Sequence, residues 1–139
     1  MVTVNLNTLE LNEFVGKDDA QQHCKATFPL IGAHGSKALA TVYFEIEPGD
    51  NLGRHTDSAE EVLFILQGEV IATVGDESMS LTDGGLALVP KMIPHDVKNV
   101  GTKKARVLGI FGGSNNIVAT FDKQWLPTHS NVVDTAQLG

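Results

Sequence analysis

The sequence predicts an all-β fold of the sandwich or barrel type, on the basis of two observations. Apolar residues come in short β-branched or aromatic runs that have the length of strands rather than helices. Glycine, proline, asparagine and aspartate residues separate these runs at regular spacing. Many short strands joined by turns build a sandwich or a barrel, and a jelly roll is one such solution. The 139 residues are expected to form one domain with a single hydrophobic core.

Each predicted strand is followed by residues that favour a turn. The segment Val74–Glu77 is expected to be the tip of a hairpin, because Gly75-Asp76 at its centre favours a turn. One short segment, Asp18–Cys24, is a candidate helical turn, and the residues after Trp125 are expected to form a loose tail. The predicted strands are ALATVYFEI (38–46), VLFIL (62–66), EVIATV (69–74), LALV (86–89) and RVLGIF (106–111).

Composition and charge argue against several classes of protein. The formal net charge is -7, whereas a nucleic-acid-binding protein needs a basic surface and an anionic membrane attracts one. No apolar run approaches the roughly 18 residues that a membrane helix needs. Residues Met1–Leu11 do not resemble a secretory signal, and the single Cys24 has no internal disulfide partner. We therefore expect no nucleic-acid partner, no membrane partner and a cytoplasmic location.

Two histidines and two carboxylates have the pattern of a metal site. His55 and Asp57 are two residues apart, so on a strand they point to the same face. Glu61 follows as the next apolar run begins, and Pro94-His95-Asp96 offers a second imidazole much further along the chain. Two imidazoles with carboxylates, and with room left for a substrate, suit Fe(II) or a similar divalent ion.

The glycines and prolines around these residues resemble the motifs of the cupin family. Its first motif is Gly, five residues, His-x-His, three or four residues, Glu, six residues and Gly. Its second motif is Gly, five residues, Pro, one residue, Gly, two residues, His, three residues and Asn. Asp57 stands in place of the second histidine and Met92 in place of the second motif's middle glycine. The eight matching positions, of ten specified, are Gly49, His55, Glu61, Gly68, Gly84, Pro90, His95 and Asn99.

This resemblance implies a double-stranded β-helix, a jelly-roll barrel with a metal inside its open end. It implies that the barrel covers about 28–112, with an N-terminal extension at about 1–27 and a C-terminal tail at 113–139. It also implies a homodimer and a divalent metal that is Fe(II), Mn(II), Ni(II) or Zn(II). The implied metal ligands are His55, Asp57, Glu61 and His95.

The resemblance allows more than one function. We favour a metal-dependent, dioxygenase-like oxidoreductase that acts on a small polar organic molecule, with Glu61, or else Asp57, as the catalytic base. A cupin isomerase or lyase, and a non-catalytic module that binds a small ligand, are the alternatives. The order His55-x-Asp57…His95 also resembles the 2-oxoglutarate oxygenases. Two observations argue against a 2-oxoglutarate oxygenase: the chain is short, and no arginine is clearly placed to hold the carboxylate of the co-substrate.

Other residues carry secondary expectations about the pocket. Leu63 and Val97 should share its lining, because they alternate with the metal-binding positions on their strands. Met92 is expected near the mouth, where its flexible side chain would narrow the pocket. Tyr43 lies either in the pocket or in the core. Arg106 is either an anchor for a substrate carboxylate or a surface residue.

Overall fold

The computed structural model of the protein describes residues 1–138, and that part of the chain consists almost entirely of strands. Two short 3₁₀ helices, Gly32–His34 and Thr135–Gln137, are the only helical segments within it. The strands are β1 (Asn12–Gly16), β2 (His23–Thr27), β3 (Leu39–Ile46), β4 (His55–Asp57), β5 (Glu61–Gln67), β6 (Val70–Val74), β7 (Glu77–Leu81), β8 (Leu86–Val89), β9 (His95–Asn99), β10 (Ala105–Gly112), β11 (Val118–Leu126) and β12 (Ser130–Asp134).

These twelve strands form one sheet that curls into a nearly closed barrel, so the jelly-roll fold is confirmed. The order along the sheet is β7-β6-β9-β4-β11-β1-β2-β3-β10-β5-β8, and β12 pairs with β11 away from this path. The hydrogen-bonded strand pairs are antiparallel, as the short turns between successive strands require. The path ends at β7 and β8; β4 and β9, which carry the two predicted histidine ligands, lie inside it, and β5 lies next to β8.

The strands alternate between the barrel interior and its outer surface. In β5, Glu61, Leu63 and Ile65 are buried, whereas the residues between them are partly exposed. In β10, Val107 and Phe111 point into the same core. Burial of such side chains contributes roughly 1.5–3 kcal/mol each to folding. This alternation explains why the predicted strands agree with the observed ones to within one or two residues at each end.

Turn residues of the two motifs perform the roles that their chemistry suggests. Gly68 has a φ of 105°, and a Cβ there would lie 3.0 Å from the Ala105 Cα, so the position requires glycine. The buried Asn99 side chain donates to the carbonyls of Ile46 and Lys103, each at 2.8 Å, and accepts from the Gly101 amide at 2.9 Å. It therefore fixes the turn that follows β9 and ties this turn to the end of β3.

Two local predictions are wrong. Segment 18–24 is a turn that leads into β2, not a helical turn, because residues 23–27 pair with both β1 and β3. Residues 130–134 are not part of a loose tail but form β12, which pairs with β11. The chain ends therefore widen the sheet: β1 and β2 come from the expected N-terminal extension, and β11 and β12 from the expected C-terminal tail.

Candidate metal centre

Strands β4, β5 and β9 bring the four predicted metal ligands together inside the barrel. His55 and His95 are direct partners in the antiparallel ladder between β4 and β9. Asp57 ends β4 on the same face as His55, as the two-residue spacing predicts, and Glu61 begins β5. All four side chains are buried, with side-chain exposures of 2–5%. The two histidines are therefore neighbours in the structure although forty residues separate them in the chain.

The backbone fixes the protonation of both imidazole rings. His55 Nδ1 lies 2.7 Å from the Gly53 carbonyl oxygen, and His95 Nδ1 lies 2.8 Å from the Ile93 carbonyl oxygen. A carbonyl only accepts hydrogen bonds, so each Nδ1 carries the proton and donates it. Each neutral ring then presents the lone pair of Nε2 to the interior of the cluster, which is the arrangement that metal-binding histidines use.

The ligand atoms of the cluster are close together and lack normal hydrogen bonds. One ligand atom each from His55, Asp57 and His95 lies within 4.8 Å of the others. Asp57 Oδ2 is 2.9 Å from His95 Nε2 and 3.6 Å from His55 Nε2, and Glu61 Oε1 is 3.5 Å from His95 Nε2. Asp57 Oδ2, Glu61 Oε1 and His95 Nε2 are buried, and none forms a hydrogen bond of acceptable geometry.

Orphaned polar atoms of this kind are costly in a protein interior unless something satisfies them. Three of them are neighbours here, because Asp57 Oδ2 and Glu61 Oε1 lie 2.9 and 3.5 Å from His95 Nε2. An imidazole and two carboxylates are nitrogen and oxygen donors suited to divalent ions of the first transition series. The residues therefore fit a divalent metal ion, and the cluster could hold one.

A glycine on a neighbouring strand makes room for the Glu61 carboxylate. Gly109 lies on β10, opposite Leu63 of β5. A Cβ at this position would overlap Glu61 Oε2 and would lie 2.8 Å from the Val42 Cγ1 atom. Only glycine therefore lets the carboxylate rest against the backbone of β10 and direct its other oxygen at His95.

Asp96 positions the loop that precedes His55. Its Oδ1 accepts hydrogen bonds from the amides of Gly53 at 2.8 Å and Val97 at 2.7 Å, and its Oδ2 accepts one from the Asn51 side chain at 3.0 Å. Gly53 is also the residue whose carbonyl orients the His55 ring. Sequence reasoning missed Asp96 and Gly109 as supports of the cluster, although the position of Asp96 directly after His95 was a signal that could have found it.

The pKa values of the two carboxylates in the cluster are shifted in opposite directions. Burial raises the pKa of Asp57, but the His55 and His95 imidazoles beside it outweigh burial and lower that pKa to about 2. Burial lowers the pKa of His95, but Asp57 and Glu61 outweigh it and raise that pKa to about 10. The pKa of Glu61 is raised, chiefly by burial and further by the charge of Asp57. Asp57 is therefore the permanently charged member, and Glu61 is the carboxyl group that can exchange a proton.

The cluster lies in a cavity of about 690 Å³ inside the barrel. Leu63 and Val97 line it, so that prediction is confirmed. The walls are mainly apolar, in contrast to the expectation of a small polar substrate. Exposed polar side chains stand only at the rim, among them Asn12, Thr128 and Gln137.

Met92 does not line the cavity, contrary to expectation, whereas Tyr43 and Arg106 take the second of the two alternatives that the sequence left open for each. Met92 is 54% exposed and does not line the cavity, because its φ of 63° belongs to a turn whose side chain faces solvent. Tyr43 is buried on the outer side of β3, where its hydroxyl donates to Glu45 at 2.6 Å. Arg106 donates to the Tyr43 hydroxyl at 2.8 Å and to Asn7 at 2.7 Å, so it is not placed to hold a substrate carboxylate in the cavity.

Residues 42–111 match the sequence profile described as "Cupin domain", which is half of the chain. The chain belongs to the cupin family. Both motifs, from Gly49 to Asn99, fall within the matched range. Among curated proteins, none matches this cupin significantly in sequence.

Solved structures with the same fold are described with different activities. A protein of Acidithiobacillus ferrooxidans, provisionally described as a sugar phosphate isomerase, superposes on this cupin with a TM-score of 0.68 at 19% identity, covering 98% of this chain and 92% of its own. A protein of Thermotoga maritima, provisionally described as an oxalate decarboxylase, gives 0.68 at 19% identity, covering 81% and 99%. The polyketide cyclase RemF of Streptomyces resistomycificus gives 0.65 at 16% identity, covering 81% and 79%. At such identities the likeness shows the fold alone.

Within residues 1–138, no helix has the length and apolar character needed to cross a membrane.

Proposed function

We propose that this cupin is a metal-dependent enzyme of the dioxygenase type that acts on a small organic molecule. The observation that carries this proposal is the convergence of three unpartnered, buried ligand atoms at the closed part of an apolar cavity. A purely structural cluster would satisfy such atoms with hydrogen bonds, because leaving each one unpaired costs roughly 1–3 kcal/mol.

His55, Asp57, Glu61 and His95 would hold the ion. Two neutral imidazoles and two carboxylates match the charge of Fe(II), Mn(II), Ni(II) or Zn(II), so the loaded centre would have no net charge. Asp57 reaches the cluster from its strand, since its Oδ2 lies within 3.6 Å of both imidazole Nε2 atoms. We therefore propose it as a ligand, in the place where the family usually has a histidine.

The side chains of this chain supply orientation, proton transfer and exclusion of water. A bound divalent ion would add Lewis-acid polarisation of a substrate oxygen. Glu61 would act as the base once its carboxylate leaves the ion, taking a proton from a substrate held beside it. Cys24 also lines the cavity, but burial raises its pKa to about 12, so the thiol stays protonated and does not act as a nucleophile.

A dioxygenase reaction suits the apolar walls, because O₂ is itself apolar and enters such a cavity readily. Both oxygen atoms would be incorporated into the product, so no external reductant is needed. Isomerase or lyase chemistry is the second candidate, because it needs only proton transfer and the Glu61 carboxylate lines the cavity. A 2-oxoglutarate oxygenase is disfavoured, because no lysine or arginine stands among the cavity-lining residues of the described chain.

The test is oxygen uptake by protein loaded anaerobically with each of the four metals, measured against a panel of small organic molecules. We expect consumption of one O₂ per product, with both ¹⁸O atoms found in the product when ¹⁸O₂ is used. Glu61→Gln should lower the rate by about 10²- to 10⁴-fold, the usual contribution of a general base. The matched control is Glu60→Gln, because Glu60 is adjacent and exposed.

Each other outcome selects a different function. Substrate conversion without oxygen uptake would favour the isomerase or lyase. Full metal content with no turnover on any compound would favour a non-catalytic module that binds a small ligand. Equal rates in Glu61→Gln and the wild type would remove Glu61 from the mechanism.

We also propose that the protein is a cytoplasmic homodimer, as the sequence predicts. An apolar patch on the outer face of β5, β8 and β10 supports the dimer. Leu86 and Leu88 are 63% and 61% exposed on the edge strand β8, and Ile110 on β10 is 37% exposed. Val62 connects them, since it pairs with Leu88 on one side and Ile110 on the other. Contiguous exposed apolar surface of this kind is typical of an interface, and isologous pairing is the commonest soluble assembly.

A further inference from the structure

Among the described residues, the cavity contains no lysine or arginine that could receive an anionic substrate. The His95 ring, which is positive in metal-free protein, already contacts Asp57 and Glu61. Its charged or titratable lining residues, among the described part of the chain, are three carboxylates, two histidines of the cluster, one histidine at the rim and the protonated thiol of Cys24. Asp134 is the third carboxylate and lies near the mouth, where it would repel an approaching anion. An anion buried in the cavity would therefore lose its hydration without gaining a partner, which is costly. The proposed metal-loaded centre has no net charge, so it would not offset the cost of removing water from the anion.

Aromatic side chains are concentrated in the same cavity. Five of the six phenylalanines and the single tryptophan of the chain line it. Three of them form a row that begins at the cluster. Phe121 stacks on the His55 ring at a centroid distance of 4.5 Å, Trp125 meets Phe121 edge-on at 5.2 Å, and Phe14 meets Trp125 edge-on at 6.1 Å.

The row leads from the metal-binding end of the cavity toward its rim. Asn12 and Thr128, at the rim, are close in sequence to Phe14 and Trp125, whereas His55 is part of the cluster. Between the two ends the walls offer aromatic rings and aliphatic side chains such as Phe44 and Leu52. A cavity of about 690 Å³ is within the range that holds a molecule of ten to twenty heavy atoms, roughly.

We infer that this cavity takes an uncharged aromatic molecule with hydroxyl or carbonyl oxygens on one edge of the ring. The ring would stack along the row of Phe121, Trp125 and Phe14, and the oxygens would face His55, Asp57, Glu61 and His95. This inference rests on the proposed function, because the oxygen donors are assigned to the proposed metal centre. It excludes sugar phosphates and oxalate as substrates of this chain, since both are anionic.

The test compares two probes of the same ring size that differ in charge. The first is 2,3-dihydroxynaphthalene, which is neutral at pH 7, and the second is 3-hydroxy-2-naphthoate, which is an anion. Both are titrated by calorimetry into zinc-loaded and metal-free protein. The single Trp125 gives one indole N–H resonance, which reports directly on occupancy of the aromatic row.

We expect the neutral diol to bind the zinc-loaded protein at least about tenfold more tightly than the carboxylate, because only the carboxylate buries an unpaired charge. The diol should also shift the Trp125 resonance. Equal or tighter binding of the carboxylate would overturn the inference, and so would the absence of binding by both probes.

Two variants separate stacking from general effects on folding. Phe121→Leu should weaken diol binding about three- to tenfold, which is the usual contribution of an aromatic pair beyond its buried area. The matched control is Phe64→Leu, because Phe64 is the one phenylalanine outside the cavity. If both variants fold and Phe121→Leu binds the diol as the wild type does, the stacking assignment is wrong.

The same titrations distinguish this inference from the proposed function. If the diol is preferred equally with and without zinc, the substrate class stands but the role of the metal in the proposed function fails. If zinc binds to the cluster and the carboxylate is nevertheless preferred, the metal centre stands and the substrate class fails.

Discussion

Gly109→Ala should expel the Glu61 carboxylate from the cluster without unfolding the protein. The new Cβ would overlap Glu61 Oε2 and lie 2.8 Å from Val42 Cγ1, so at least one of these groups must move. The backbone of Gly109 is ordinary extended strand, paired with Leu63 and Val42, and it accepts alanine without torsional strain. The Glu61 side chain is the more mobile neighbour, and its movement takes Oε1 away from His95.

The expected magnitudes follow from these contacts. Overpacking of a core position usually costs about 1–3 kcal/mol, and replacing a strand glycine by alanine returns about 0.5–1 kcal/mol. The free energy of unfolding of the metal-free protein should therefore fall by no more than about 2.5 kcal/mol. Loss of a properly placed carboxylate should weaken metal binding by about 10- to 100-fold, the range found when the supports of metal ligands are removed.

The assay is calorimetric titration of zinc into metal-free protein at neutral pH, with folding checked by circular dichroism. Gly112→Ala is the matched control, because Gly112 is on the same strand and a Cβ there meets nothing within 4 Å. Gly112→Ala should bind zinc as the wild type does. If a folded Gly109→Ala variant binds zinc within about twofold of the wild type, Glu61 is not a ligand, and Glu61→Gln should then also retain affinity.

Three further results are expected. Met92 has a φ of 63°, a left-handed backbone conformation that strains residues other than glycine. Met92→Gly should therefore raise the free energy of unfolding in urea by about 1 kcal/mol, and a decrease would show that the backbone is not strained there. In metal-free protein, Asp57 and Glu61 raise the pKa of His95 to about 10 against the effect of burial. The stability that charged His95 contributes is therefore complete below its unfolded pKa of 6.5 and is lost as pH rises through about 10, so melting temperatures of the wild type and His95→Gln should converge at alkaline pH. Leu88→Lys should convert a dimer into monomers in sedimentation, and an unchanged dimer would place the interface elsewhere.

The sequence predicted the cluster well because its geometry is local or follows a simple periodicity. His55 and Asp57 share a face on any strand, and Asn99 and Gly68 have roles that their own chemistry dictates. The resemblance to the cupin motifs implied that a facing hairpin supplies His95, and His95 pairs with His55 across β4 and β9. Burial of all four side chains agrees with that expectation.

Other features depend on contacts between distant segments. Nothing near Gly109 in the chain indicates that its missing side chain accommodates Glu61, which lies 48 residues away. Phe121 was assigned to the tail, yet it stacks on His55, because β11 pairs with β4. Residues 127–131 read as a turn-rich tail, but that turn returns the chain along β11 as β12.

Side-chain direction decides the alternatives left open for Tyr43 and Arg106 and corrects the expectation for Met92. Tyr43 and Arg106 lie on strands that form the cavity, but on their outer faces, where they contact each other and the N-terminal segment. Met92 occupies a glycine position of the motif, and its left-handed backbone conformation directs the side chain to solvent. The direction of these side chains can be deduced only when the neighbouring segments that cover each face of the strand or turn are known.

Metal content after zinc loading and desalting tests the central claim most directly. We expect about one ion per chain in the wild type and in His34→Ala, a histidine at the cavity rim, and less than about 0.1 in His55→Ala, Asp57→Ala and His95→Ala, all folded by circular dichroism. Full content in Asp57→Ala alone would reduce the centre to His55, Glu61 and His95. Undiminished metal in both histidine variants, or none in the wild type, would contradict the metal centre itself.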